Sequence, residues 1–237
     1  MTNRTLYALN PQSGKTLWEF SPRSNSEEWI YSHPSAHAGR VFIGDRCGYF
    51  HCLSAKTGKT LWRRLSSRGI NNQVNSTAHA VGNRVLTANN KGAVVCYSVE
   101  TGKTIWHQHI DGPCTCELLR QTTAVIAAAK SLYGLVLQTG EIPFDLKFPK
   151  RVVKSVVIAG SRLGVVLVTD FQDQPSAWSR PSTFKGELLI LERGVEIARR
   201  NLKGTPDLRT CAENGFLIAV DHHGMKVRSV GRIANQV

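Results

Sequence analysis

No apolar run in the 237-residue chain approaches the length that carries a helix across a bilayer. The opening residues, MTNRTLYALN, lack the apolar core of a signal peptide. Both absences set the expectation of a cytoplasmic protein. An envelope or periplasmic setting would follow only if the chain is a fragment that has lost its start. No stretch shows helical periodicity flanked by caps, which argues against helical and mixed folds. The six cysteines, Cys47, Cys52, Cys96, Cys114, Cys116 and Cys211, lack the spacing of a disulfide framework, so reduced thiols are expected. Acidic residues are scarce: 17 Asp+Glu stand against 30 Lys+Arg, giving +13. The excess is spread, with 15 basic and 9 acidic residues through 146 and 15 and 8 from 147 on. That distribution excludes a basic arm and favours a solvated basic surface over a nucleic-acid site.

The chain repeats one phrase. It reads NPQSGKTLW at 10–18, SAKTGKTLW at 54–62 and SVETGKTIW at 98–106. Gly14, Gly58 and Gly102 fall in a 44-residue register, as do Trp18, Trp62 and Trp106. A period of 40–50 residues is the mark of a propeller or a solenoid. Inside one repeat, RVFIGD (40–45), YFHCLSA (49–55) and KTLWRRL (59–65) read as strands bounded by turn residues, with a weaker strand in YSHPSAH (31–37). Four antiparallel strands joined by hairpins describe a propeller blade.

Each letter of the phrase then has a structural task. Gly supplies the positive φ of a tight hairpin. Thr or Ser before it can hydrogen-bond the turn backbone. Lys opens the outer strand and is expected to be exposed. Trp is large enough to seal the gap between neighbouring sheets. Six residues before Gly the side chain stays small, at Ala8, Cys52, Cys96 and Gly134. The expectation is that a Trp of one blade covers this small position on the next.

The copies LYALNPQSGKTLW (6–18), GYFHCLSAKTGKTLW (48–62) and GAVVCYSVETGKTIW (92–106) resemble the repeat of the quinoprotein-like, or PQQ-like, β-propeller family. That repeat carries Ala–Leu–Asp/Asn, then Thr–Gly–Lys, then Trp. Later copies decay. SLYGLVLQTGEIPF (131–144) keeps Gly140 and puts Phe144 where Trp belongs, and GELLILERGVEIA (186–198) puts Ala198 there. The resemblance implies an all-β propeller of four-stranded antiparallel blades, in one domain over 1–237, with the aromatics docking successive blades. The count is five blades if the first two strands of the tail (208–230) pair with the two N-terminal strands, or six if the seam stays open. Closure by a second chain, and a fragment of a longer propeller, are further options.

The family name raises an enzyme. Its dehydrogenases, as the resemblance has it, seat a cofactor over a Trp floor with a vicinal Cys–Cys disulfide and a calcium held by acidic and amide groups. This chain has no adjacent cysteines and no cluster of acids at strand starts. A degenerate dehydrogenase is therefore the third reading, and no cofactor is expected. HQHIDGPCTC (107–116) carries zinc-like residue types. The blade plan puts His107 and His109 on an outermost strand and Cys114 and Cys116 on the innermost strand of the next, about 14 Å away. No metal site is expected.

The remaining candidate is the insertion DFQDQPSAWSRPSTFKG (170–186), with Asp170, Trp178, Arg180 and Lys185. Other blades join their second and third strands by short turns such as DRCG, NNKG and DHHG. Long insertions of this kind are often functional. The same rim collects Trp29, Arg46, Lys91, Lys130, Lys150 and Arg151, with His222 and His223 in the last turn. Trp among Arg and Lys is an interface composition. The expected function is a non-enzymatic scaffold with an unidentified protein partner. A polyanion such as nucleic acid is the alternative ligand. A bacterial outer-membrane assembly lipoprotein resembles this chain in its repeat, but its lipoprotein signal is missing here, so the envelope role is not carried over.

Overall fold

A computed structural model describes residues 5–22, 29–30, 32–66, 73–74, 76–120, 122–159, 162–169, 185–203, 207–211, 216–220 and 228–232. All regular structure among them is β. Strands β1 (Leu6–Leu9) and β2 (Thr16–Phe20) form a two-stranded sheet. Four-stranded sheets follow, each antiparallel and in chain order. They are β3 (Ser35–His37), β4 (Arg40–Gly44), β5 (Tyr49–Ser54) and β6 (Thr60–Leu65); β7 (His79–Val81), β8 (Arg84–Ala88), β9 (Ala93–Ser98) and β10 (Thr104–His109); β11 (Cys114–Arg120), β12 (Thr123–Ala128), β13 (Ser131–Val136) and β14 (Phe144–Lys147); β15 (Arg151–Ala159), β16 (Arg162–Thr169), β17 (Lys185–Glu192) and β18 (Val195–Lys203). The tail adds β19 (Asp207–Cys211), β20 (Phe216–Val220) and β21 (Arg228–Arg232) as a three-stranded sheet. The third tail strand pairs with β20, so the described strands form six sheets. The chain packs as two compact units, Met1–Cys116 with Leu137–Glu141, and Glu117–Val136 with Ile142–Val237.

In the first unit the phrase works as a lock between successive sheets. The Trp18 indole donates to Ala55 O at 2.8 Å, Trp62 to Val99 O at 3.0 Å and Trp106 to Leu137 O at 2.9 Å. Each acceptor lies three residues before the next phrase's glycine. The ring then lies flat against that glycine. A Cβ built on Gly58, Gly102 or Gly140 would sit 2.6–2.7 Å from the Cδ2 of Trp18, Trp62 or Trp106. Arg64 Nε donates to Gly102 O at 2.8 Å, and Gln108, one period later, donates to Gly140 O at 3.0 Å. In the second unit Phe144 packs on Gly194 in the same way, without a ring N–H to donate. The Thr or Ser before each glycine accepts from the backbone two residues on, as with Thr57 from Lys59 N at 3.4 Å. Lys15, Lys59 and Lys103 are exposed.

One expectation is corrected. The small residue is not what the preceding blade's Trp covers. Ala8 lies directly opposite Trp18 in the β1–β2 ladder, Cys52 opposite Trp62, Cys96 opposite Trp106 and Gly134 opposite Phe144. Cross-strand neighbours on one face are the closest side chains in a sheet. The small residue makes room for the aromatic of its own sheet, and the Phe144 ring fills the space a Cβ at Gly134 would need. The aromatic then leans onward to the next sheet's glycine.

The phrase glycine therefore has two reasons to lack a side chain, and they can be separated. Gly14 has φ 68° and, among the described residues, nothing within 4 Å of an added Cβ; Gly102 has φ 65° and Trp62 upon it. Gly14→Ala should lose only what the left-handed backbone costs, about 1 kcal/mol. Gly102→Ala should lose about 1–3 kcal/mol more, from overpacking. Urea midpoints of the two variants decide this, and equal losses would separate the glycine from the docking.

The first unit's core is aromatic where the β3–β6 and β7–β10 sheets meet. Phe50 has its ring 6.0 Å from Phe42, 5.8 Å from Trp62 and 5.7 Å from Tyr97. The second unit's core is aliphatic, built from Val125, Leu132, Leu163, Val165, Leu167 and Leu189. Leu and Val from neighbouring sheets replace the aromatics as the phrase decays.

Candidate interaction face

Within each unit the described candidate residues lie on the turns between second and third strands or on the chain that enters a sheet beside them. In the first unit Asp45 builds one such turn. It is fully buried, and its carboxylate accepts from Tyr49 N at 2.8 Å and meets His51 Nε2 at 2.8 Å. One period later Asn89, also fully buried, caps the equivalent turn through Oδ1, which accepts from Lys91 N at 3.0 Å and Ala93 N at 2.9 Å. Asx side chains suit this task because they imitate a backbone turn.

On that frame the chain entering each sheet runs beside the turn. Trp29 O accepts from Arg46 N at 2.8 Å, and Gln73 O, one period later, accepts from Asn90 N at 3.1 Å. The Arg46 guanidinium lies 5.9 Å from the centroid of the Trp29 ring, within reach of a cation–π contact, and both residues are half-buried. Lys91 is exposed on the following turn.

The second unit presents Lys130 and Lys150, both exposed, on the same structural positions. Lys130 O accepts from Phe148 N at 2.7 Å. Arg151 is engaged within its sheet. Its guanidinium meets Glu187 at 2.9 Å; Glu187 meets Arg199 at 3.0 Å, and Arg199 meets Glu196 at 2.8 Å. The Arg199 hydrogen bonds hold the Glu196 carboxyl below its usual range. This chain of charges runs from the innermost to the outermost strand of the one four-stranded sheet whose phrase has lost its aromatic. Asp170, Trp178, Arg180, His222 and His223 lie outside the described residues. Lys185 opens β17.

Parts of the basic surface are structural. Arg63 stacks 3.4 Å from the Tyr49 ring centroid, and Arg64 is committed to the Gly102 turn. The WRRLSSR run therefore owes two of its charges to packing.

The zinc-like stretch is divided as the blade plan requires. His107 and His109 are exposed on β10, whereas Cys114 and Cys116 are buried at the start of β11. Among the described residues no three His, Cys, Asp or Glu side chains gather to hold a metal ion. Burial pushes the Cys52, Cys96 and Cys114 thiols up to about 12, so none is a nucleophile at neutral pH.

Two features escape sequence reasoning. The Asp45–His51 pair has a partial signal, since Asp45 and Asn89 share the register, but His51 has Val95 as its counterpart. The Arg151–Glu187–Arg199 chain has none, because its members lie 12 to 36 residues apart in a decayed repeat.

Among the described residues no helix is long and apolar enough to cross a membrane. No curated protein matches the chain. A family model described as outer membrane protein assembly factor BamB matches residues 2–133 and 65–179, well over half of the sequence. Among solved structures, BamB from Moraxella catarrhalis is similar with a TM-score of 0.68 at 22% identity, over 92% of this chain and 64% of that one. The chain thus spans less than two thirds of that protein's length. The β-propeller domain of Myceliophteria thermophila Cps50 (Swd1) is similar with a TM-score of 0.64 at 14% identity, over 94% of this chain and 74% of that one. The computationally designed Ika8 protein gives 0.59 at 16% identity, over 69% and 50%. At these identities the structures speak for the fold, a β-propeller of four-stranded antiparallel blades. The repeat, the docking aromatics and the family match agree, and the chain belongs to the PQQ-like β-propeller family described as outer membrane protein assembly factor BamB.

Proposed function

We propose that the chain is a non-enzymatic propeller scaffold for protein–protein interaction, one domain over 1–237, and that the turn face is its working surface. One observation carries this. Of the residues that recur in the phrase, Trp62 docks on Gly102 and the Thr or Ser braces its own turn, with Lys left exposed, while the residues of the turns between second and third strands and beside them diverge between repeats, Trp29 against Gln73 and Arg46 against Asn90. Recurrence serves the architecture, and divergence on one rim is where a partner would be read. The family's description as an assembly factor supports the same reading. Trp178 and Arg180 of the insertion are assigned to this surface by composition.

Arg46→Glu with Lys91→Glu should lower the recovery of specifically crosslinked partners about tenfold while leaving the melting temperature in place. Lys15→Glu with Lys103→Glu, on the outer hairpins, should leave recovery unchanged. Equal recovery from the two variants overturns the face. The net charge of +13 supports the polyanion alternative, and nuclease-sensitive recovery that falls steeply with salt would establish it instead. The scaffold is proposed to work in the cytoplasm, and cell fractionation that finds it in the envelope overturns that part.

A further inference from the structure

Arg46 and Lys91 stand on successive turns of the first unit, and one short segment joins those turns. Val74 N donates to Asp45 O at 3.0 Å, and Asn90 N donates to Gln73 O at 3.1 Å. Gln73 and Val74 therefore lie between the two turns and bond to both. Extended segments bonded this way lie about 4.8 Å apart, so the two turns stand about 10 Å apart. Arg46 follows Asp45 and Lys91 follows Asn90, which puts the two cations on either side of this segment. Lys91 is exposed, Arg46 and Gln73 are half-buried, and Val74 is buried.

Neither cation is neutralised by the described chain. Arg64 gives its guanidinium to Gly102 O and Thr101 O, and Arg151 gives its own to Glu187. Among the described residues no acceptor takes the guanidinium of Arg46, and no carboxylate pairs with Lys91. Asp45 is next in sequence, but its carboxylate is committed to Tyr49 N and His51 Nε2. A guanidinium set beside an aromatic ring keeps its planar N–H fork for an acceptor, and a carboxylate matches that fork. Trp and Arg are also the residues that most often carry the binding energy of an interface.

The anion that fits is short. Exposed Asp111 lies on the same rim, because Ile110 N donates to Gly92 O at 2.8 Å and so brings the acid to the turn that carries Lys91. A phosphate backbone carries charge at every step and would run onto this carboxylate. A segment with two acids need not reach it. Carboxylates two residues apart on an extended chain fall on one side, about 7 Å apart, within the span of long side chains rooted about 10 Å apart.

We propose that Arg46 and Lys91 anchor an extended acidic segment of the partner protein, with one residue between its two acids. Arg46, set by Trp29, takes one carboxylate through its N–H fork, and Lys91 takes the other as a point charge. The assignment rests on the turn face as the working surface and adds the chemistry that the face reads.

The test titrates the full chain at low salt with a labelled, end-capped heptapeptide, SGEVEGS. Saturable anisotropy change below about 5 mM is expected, with the Trp29 indole resonance moving in step. The analogue SGQVQGS should not bind. Arg46→Gln with Lys91→Gln should abolish binding and keep the melting temperature. Arg46→Lys keeps the charge without the fork and should weaken binding at least about threefold. No saturation by about 5 mM, or equal affinity for the glutamine analogue or for Arg46→Lys, overturns the proposal. An oligothymidylate that binds more tightly and displaces the peptide makes this a phosphate site, and overturns the acidic segment. Glu27 and Glu28 precede Trp29 in sequence. Peptide binding that appears only in Glu27→Gln with Glu28→Gln would mean the chain fills the pair itself, and overturns the proposal equally. Should the peptide fail while Arg46→Glu with Lys91→Glu still lowers partner recovery, the acidic segment falls and the turn face stands. Unchanged recovery would remove the face as well.

Discussion

Trp62→Ala is expected to cost about 3–5 kcal/mol, the range for truncating a buried aromatic. Three contributions add at this site. The side chain is 7% exposed and touches Phe42, Phe50 and Tyr97, with ring centroids 5.8–6.1 Å away, so its removal opens a cavity between two sheets. Its N–H donates to Val99 O at 3.0 Å, and Val99 is itself buried, so the carbonyl loses its donor. Its face also closes over Gly102. Trp62→Phe separates the terms. It keeps most of the ring, as the fourth copy does naturally with Phe144, and forfeits the hydrogen bond, for about 1–3 kcal/mol. Urea unfolding should rank the two variants in that order. A loss below about 1 kcal/mol for Trp62→Ala would mean that the aromatic is not what couples these sheets.

The register made such residues legible because propeller blades repeat their packing along with their sequence. The strands at 40–44, 49–54 and 60–65 fall where turn residues and β-branched runs put them. The small position was harder to read. Ala8 and Trp18 lie ten residues apart across a hairpin with a bulge between Ala8 and Leu9, and whether they oppose each other depends on that bulge. Sequence spacing alone does not separate a same-sheet neighbour from a next-sheet one, and the ring in fact touches both. The turn face was partly legible. Arg46, Lys91 and Lys130 sit where the strand order places them, but a run of charge does not reveal the ion pair of Arg151, whose partner Glu187 comes from a distant strand. His51 shows the other limit. A lone histidine inside an apolar strand carries no sign of the carboxylate six residues away that fixes it.

That carboxylate carries the second large effect. Asp45→Ala is expected to cost about 3–5 kcal/mol, as when one member of a buried hydrogen-bonded pair is removed. The side chain is fully buried, and its loss strands the Tyr49 N–H and His51 Nε2 in a site with little water to replace it. The main-chain bonds of the turn, Asp45 N to Tyr49 O at 2.9 Å and Val74 N to Asp45 O at 3.0 Å, are open to any residue, so the loss on substitution is that of the carboxylate. The neighbouring repeat supplies the control. There Asn89 performs the capping with Val95 in place of histidine. Asp45→Asn should therefore keep the Tyr49 contact and lose much less than the alanine variant. Asp45→Asn with His51→Val rebuilds the neighbour's combination. Its cost should fall short of the sum of the two single costs by about 1 kcal/mol or more, the coupling expected of residues in direct contact. Strict additivity would show that the two side chains are independent and that the turn is held by its backbone alone. The outcome matters for the interaction face as well, since Arg46 follows Asp45 directly and takes its position beside Trp29 from this turn.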